Sequence, residues 1–224
     1  MLDARSFMQC LALVSVVGLA GCATSGTAQR DVDKTLDDAE ATVYKMQSDP
    51  RRVVLQDNLK KAKAIVIFSS GDARGVALAR VAGAPGWSAP AFYNIVTLDA
   101  GSGNMGTTGL RAGKQNLELV LLAMNDKAMA WLITPRLPGQ HDLRVFPVTE
   151  ASGRGPREAV DVIVFARKNS GENVEVTGGP IISIDSAANQ SYYGRAAAPN
   201  DILKQRNDTN PAAAALQKAI STVE

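Results

Sequence analysis

The sequence predicts an α+β fold, with a mainly antiparallel, strongly twisted or barrel-like sheet flanked by N-terminal and C-terminal helices. Three observations predict it. Residues 31–48 carry apolar side chains at three- and four-residue spacing. Residues 64–184 hold a block of short β-branched runs separated by turn signals, and the tail after Asn210-Pro211 is alanine-rich. Strands in one block with helices at both ends argue α+β rather than a parallel α/β arrangement.

The elements follow in order. From Asp31 to Ser48, Val32, Leu36, Ala39, Val43 and Met46 line one helical face, with acids early. Pro50 stops that helix, because the residue before a proline is pushed out of the α region. A second helix over 53–61 carries Leu55 and Leu59 on one side. The period then changes to that of strands: 64–68, 75–81, 91–98, 117–124, 130–133, 160–167, 174–176 and 181–184. Asn169-Ser170-Gly171 is a hairpin connection, and Asn210-Pro211 starts the last helix with Asn as N-cap and Pro at N1.

Composition excludes several functions. The chain has 224 residues, a net charge of +2, 46% hydrophobic and 21% charged residues, which is ordinary for a globular protein. No long Lys/Arg block suggests nucleic acid. Only Cys10 and Cys22 are cysteines, and both belong to the N-terminal segment, so the domain holds no disulfide and no thiolate metal site.

That N-terminal segment is itself informative. Cys10 to Ala20 is an uncharged run of eleven residues, too short to span the bilayer as a helix, which takes about 20 residues. It suits the apolar core of a signal peptide. Leu19-Ala20-Gly21-Cys22 reads as a bacterial lipobox, with residues 1–21 removed and Cys22 the lipid-attachment residue. An ordinary secretory signal with a chance cysteine, or a buried core helix, is the alternative. Two acyl chains are enough for stable anchoring at about 0.8 kcal/mol per buried methylene. Ala23, rather than Asp, follows the cysteine, which by analogy with bacterial lipoproteins implies the outer membrane, periplasmic face. Residues 22–30 read as a flexible tether and 31–224 as a single domain.

Five blocks from Leu59 to the C-terminus resemble the SYLF domain of bacterial lipoproteins and eukaryotic lipid- and actin-associated proteins. They are 59–68 (LKKAKAIVIF), 75–80 (GVALAR), 86–92 (GWSAPAF), 110–115 (LRAGKQ), and 184–195 (IDSAANQSYYGR) followed by 199–203 (PNDIL). Each is weak alone; their order and spacing carry the resemblance. Two departures stand out. Residues 69–74 are short and polar where the family has a Gly- and aromatic-rich segment, and 171–176 replace a Gly-Leu-Phe-Ala-Gly-like run. The resemblance implies a phospholipid-binding domain. The residues themselves offer a basic segment for an anionic headgroup: Arg51, Arg52, Lys60, Lys61 and Lys63. Such a segment is either a solvated helix face or a lipid contact, at about 1 kcal/mol per basic residue near an anionic membrane. Trp87, Phe92 and Tyr93 are either core or an apolar contact patch, with Trp87 and Phe92 the candidates for partial insertion.

Catalytic and metal motifs do not assemble. Gly101-Ser102-Gly103-Asn104-Met105-Gly106, with Asp126 twenty residues on, fits the dinucleotide fingerprint in letters. It lacks the helix start and the βαβ frame. Gly109–Gln115 is one residue short of a phosphate loop. His141 is the sole histidine, in a polar loop. Asp37, Asp38, Asp201 and Asp208 read as helix-terminal acids, and Tyr192-Tyr193-Gly194 as a structural turn. No G-x-S-x-G elbow occurs. The expectation is a non-enzymatic lipoprotein without a cofactor, binding phospholipid or the membrane surface. The alternative is a structural lipoprotein that docks an envelope protein partner.

Overall fold

In the computed structural model, a helix layer and a curled sheet share the chain as the sequence predicts. The structure describes residues 22–71, 73–99, 109–110, 117–134, 143–152, 155–172, 174 and 181–224. Helix α1 is Cys22–Gln47 and α2 is Arg52–Leu59. Val32, Leu36, Ala39, Val43 and Met46 are all buried, so the predicted face is the one that packs. Residues 22–30, expected as a flexible tether, are the first turns of α1, where Gln29 Nε2 donates to Asp33 Oδ1 one turn on (2.9 Å). Residues 1–21, with the expected signal segment, lie outside the described residues.

The strands are β1 (Ala64–Phe68), β2 (Arg74–Ala79), β3 (Ala91–Asp99), β4 (Gly109–Leu110), β5 (Leu117–Ala123), β6 (Val145–Pro147), β7 (Val162–Lys168) and β8 (Ile181–Ile184). They pair in the order β8-β3-β2-β1-β5-β7-β6, with β4 added at the end of β3. Every pairing is antiparallel except β6 with β7. The sheet curls into a half-barrel. Three further helices complete the fold: α3 (Asp126–Ile133), α4 (Ser186–Tyr193) and α5 (Ala214–Val223), with a π-helical turn over Asn200–Gln205.

Successive residues of a strand point to opposite faces, and here both faces are buried. Ile65, Ile67, Val76, Leu78, Phe92, Val120, Ile163 and Phe165 meet α1, α2, α4 and α5. Their neighbours Val66, Phe68, Ala77, Tyr93, Leu121 and Val164 meet α3 and Ile202 and Leu203 of the π-helical turn. That is why 64–68 and 119–123 are unbroken apolar runs rather than alternating ones. Each fully buried Leu, Ile, Val or Phe contributes about 1.5–3 kcal/mol, and packing of this kind holds the domain without a disulfide. Gly75 is required by close approach. A Cβ there would lie 2.5 Å from both the Ile67 carbonyl oxygen and a carbon of the Phe68 ring, which covers the glycine from the next strand.

Two strand expectations are corrected or narrowed. Residues 130–133 are the end of α3, not a strand. Asn125 caps that helix through its side chain, which accepts from the Ala128 N–H (3.0 Å), and a four-residue apolar run alone does not separate the two states. In the 174–176 segment only Val174 is described, and its N–H bonds to the Ala166 carbonyl (3.1 Å) after a turn at 168–172. The hairpin connection at 169–171 is therefore present. Asn210 caps the last helical segment as expected, accepting from the Ala212 N–H (3.0 Å).

Candidate functional site: a basic edge at one end of the sheet

The C-terminus of α2 runs into β1, which lies between β2 and β5, so their near ends meet. The Lys63 N–H donates to the Ala123 carbonyl (2.8 Å) and the Arg80 N–H to the Lys63 carbonyl (2.7 Å). This places Lys60, Lys61 and Lys63 together at one end of the sheet. Lys60 and Lys61 are exposed, and among the described residues no carboxylate pairs with either. Lys63 is bonded to Asp126 at the start of α3 (2.5 Å). That hydrogen bond and the charges of Lys63 and Lys204 hold the Asp126 carboxyl below its usual range.

Lys127, next to Asp126, lies 3.6 Å from the buried Asp161 carboxylate. Burial raises the Asp161 carboxyl, but hydrogen bonds from the Arg144 N–H and Asn125 and the charge of Lys127 bring it below its ordinary value. Arg80 closes the other flank. It donates to the Leu59 and Lys60 carbonyls (3.3 and 3.2 Å), capping α2 with a positive charge. Its guanidinium stacks over Trp87 at 4.2 Å and pairs with Glu224. Arg80, Lys127 and Lys204 were not among the expected site residues. They lie far apart in sequence, and only the strand order brings them to this edge.

The remaining expected residues fall elsewhere. Arg51 is 2% exposed, and both its Nε and Nη2 bind the Asp49 carboxylate (2.8 Å each). Its Nη1 reaches the Val148 and Ala166 carbonyls (3.1 Å each). It fastens the α1–α2 corner to the sheet and is not a membrane residue; a guanidinium with so many buried acceptors has no reason to leave them. Arg52 is exposed at the opposite end of α2, about 12 Å from Lys60 at 1.5 Å per residue.

Trp87 and Phe92 are 4% and 0% exposed, so neither inserts into a bilayer from this conformation. Phe92 packs on Tyr192 with ring centroids 5.2 Å apart, and Trp87 Nε1 donates to Glu224 (2.8 Å). Tyr93 is also core, its hydroxyl donating to the Leu132 carbonyl (2.6 Å). Tyr192 and Tyr193 end α4, and Gly194 terminates it in the left-handed conformation (φ 68°).

Among the described residues no three His, Cys, Asp or Glu side chains come together to hold a metal. Asp38 pairs with Lys34 and Asp208 with Arg195. The 101–106 glycine motif, 111–115 and His141 lie outside the described residues, and Gly109–Leu110 form β4. Among the described residues no helix is long and apolar enough to cross a membrane.

No curated protein and no solved structure matches the chain. A family model described as Ysc84, Las17-binding protein actin regulator, matches residues 104–223, more than half of the chain. This is the SYLF family, and its members are binding domains. With a match of that extent over a curled antiparallel sheet flanked by helices, the chain belongs to the Ysc84 (SYLF) family.

Proposed function

We propose that this protein binds the surface of anionic phospholipid membranes, without catalysis, through the basic edge of Lys60, Lys61 and Lys63. The observation that carries the reading is the pair of exposed lysines at 60 and 61 without a carboxylate partner among the described residues, set beside Arg80 just after β2, Lys127 of α3 and Lys204 of the π-helical turn. The lipobox reading adds an anchor: Cys22 carries lipid, and the domain sits at the periplasmic face of the outer membrane. An anchor holds the domain beside the surface, where each lysine that comes within a Debye length of the surface charge contributes about 1 kcal/mol.

The test is sedimentation of a soluble form beginning at Thr24 with anionic vesicles. Lys60→Glu with Lys61→Glu should reduce binding at low salt by about tenfold or more, and raising the salt should release the unaltered protein. The anchor is tested by palmitate labelling, which Cys22→Ala should abolish. A second reading has one observation in its favour, the family description, which names a protein, Las17, as what a member binds. Here the domain would dock an envelope protein, and the lipid would serve only as anchor. Absence of sedimentation at low salt favours it.

A further inference from the structure

Asp126 is an acid set in the middle of a basic edge, and the start of α3 does not depend on it. Asn125 is the N-cap, its side chain accepting from the Ala128 N–H (3.0 Å). The nearby Asp161 is a structural acid: it is buried and accepts from the Arg144 N–H and from Asn125 Nδ2 (2.7 Å each). Asp126 differs in kind. Its side chain is 90% exposed, and it accepts from Lys63 Nζ (2.5 Å), itself 41% exposed. The charge of Lys204 acts on the same carboxylate. Residues 63 and 126 lie far apart in sequence, and the pairing of β1 with β5 brings them together.

An ion pair between two exposed side chains is weakly held in water. A phospholipid phosphate offers Lys63 the same charge-assisted hydrogen bond that the carboxylate provides. The two anions cannot both be favoured at one edge, because the bilayer charge repels the carboxylate as it attracts the lysine. Lys60 and Lys61 have no carboxylate partner among the described residues, so Asp126 holds back Lys63 and the field of Lys204 and leaves that pair unopposed.

We infer that Asp126 is a built-in competitor for the membrane, occupying on Lys63 the place of a lipid phosphate that docking exchanges for it. This deepens the proposed function and rests on the Lys60–Lys63 edge being the membrane contact. It makes the edge selective for densely anionic bilayers, since a sparse surface offers Lys63 nothing better than the carboxylate it already has.

The test uses the chain from residue 22 with Cys22→Ser, which keeps every described residue and removes the acylated sulfur. It is sedimented at low salt with vesicles of phosphatidylglycerol in phosphatidylcholine at increasing mole fraction. Asp126→Asn should bind about fivefold more tightly, the worth of one further basic residue at an anionic surface. It should also reach half-binding at a lower fraction of phosphatidylglycerol. Asp126→Glu, which keeps a carboxylate within reach of Lys63, should stay close to the unaltered protein. The Asn125 cap is untouched in both variants, so both fold.

A gain in affinity also follows from net charge alone, so the exchange is read chemically. A water-soluble carbodiimide activates Asp126, which forms an amide to Lys63 where the pair is closed or to added glycine ethyl ester where it is open. Shielding by the bilayer lowers both products, whereas exchange raises the ratio of ester adduct to cross-link, measured by mass spectrometry. That ratio should rise severalfold when vesicles saturate the protein. The pair Lys168–Glu172 (2.7 Å), also exposed but at the far end of β7, should keep its ratio.

An unchanged ratio at Asp126, equal changes at Asp126 and Glu172, or an equal gain from Asp126→Glu overturns the competitor and leaves Lys60 and Lys61 as the contact. So does the absence of a gain from Asp126→Asn. Sedimentation of Asp126→Asn but not of the unaltered protein supports the competitor in its strongest form. Absence of sedimentation for both proteins overturns it together with the proposed function, so the two readings are told apart.

Discussion

Arg51 and Lys60 lie nine residues apart in one basic segment and have opposite fates. Arg51 is enclosed with Asp49, while Lys60 faces solvent. Arg167 adds to the enclosed cluster, 3.8 Å from Asp49 and 3.2 Å from Glu118, and Lys45 binds Glu118 from α1 (2.5 Å). Burial by itself raises the Asp49 carboxyl, but the hydrogen bonds and charge of Arg51, with the charge of Arg167, leave it below its ordinary value. A depressed carboxylate contributes stability that is fully present above the unfolded value of about 3.9 and is lost as pH falls through the folded one. Thermal melts should therefore show stability falling as pH drops from about 5 towards 3, with a smaller fall in Asp49→Asn. Asp49→Ala at neutral pH strands the Arg51 charge and should cost about 3–5 kcal/mol in denaturant unfolding; a loss below about 1 kcal/mol would show the pair to be dispensable. The proximity of Asp49 in sequence was the one available sign that Arg51 is structural. Nothing local marked Trp87 and Phe92 as interior, because an aromatic residue reads the same in a core and in a contact patch until the elements that cover it are known.

At the scale of elements, α1, α2, β1, β2, β3, β5, β7 and β8 were legible because each carries one clear period or one unbroken apolar run. The misreading of 130–133 has a physical cause: the run is too short to show a period, and the Asn125 cap before it outweighs the β-branched Ile133. The parallel strand β6 and the π-helical turn at 200–205 were not legible. Three residues paired to a distant strand leave no periodic trace, and a π turn has its own hydrogen-bond spacing. Gly75 on β2 sits where the Ile67 carbonyl and the Phe68 ring of β1 leave no room for a Cβ. Gly75→Ala should force the Phe68 ring and the β1 backbone apart and destabilise the domain by about 1–3 kcal/mol. A thermal melt by circular dichroism reads this directly, and an unchanged midpoint would mean that the sheet opens there freely.

At the scale of the whole molecule, covering both faces of the sheet leaves little apolar surface among the described residues to offer a bilayer. Among the described residues the exposed large hydrophobic side chains are Tyr44, Val53 and Ile181, one each on α1, α2 and β8. On the proposed reading, contact with a membrane therefore rests on charge, and its strength should follow ionic strength. The sequence carried the basic segment and the family, but the edge itself is a product of topology. β1 lies between β2 and β5, and α3 and the π-helical turn bring Lys127 and Lys204 to the same end. The turn at 169–172 lies at the other end of β7, about 20 Å away at 3.3 Å per residue, which gives the molecule an internal control. In a form beginning at Thr24, which has no native cysteine, a polarity-sensitive fluorophore is placed at Lys61→Cys or at Ser170→Cys and mixed with anionic vesicles. The label at 61 should shift to the blue at low salt and revert as salt is raised, while the label at 170 stays as in water. A shift at 170 alone, equal shifts at both positions, or none at either would contradict a membrane-facing edge at Lys60–Lys63.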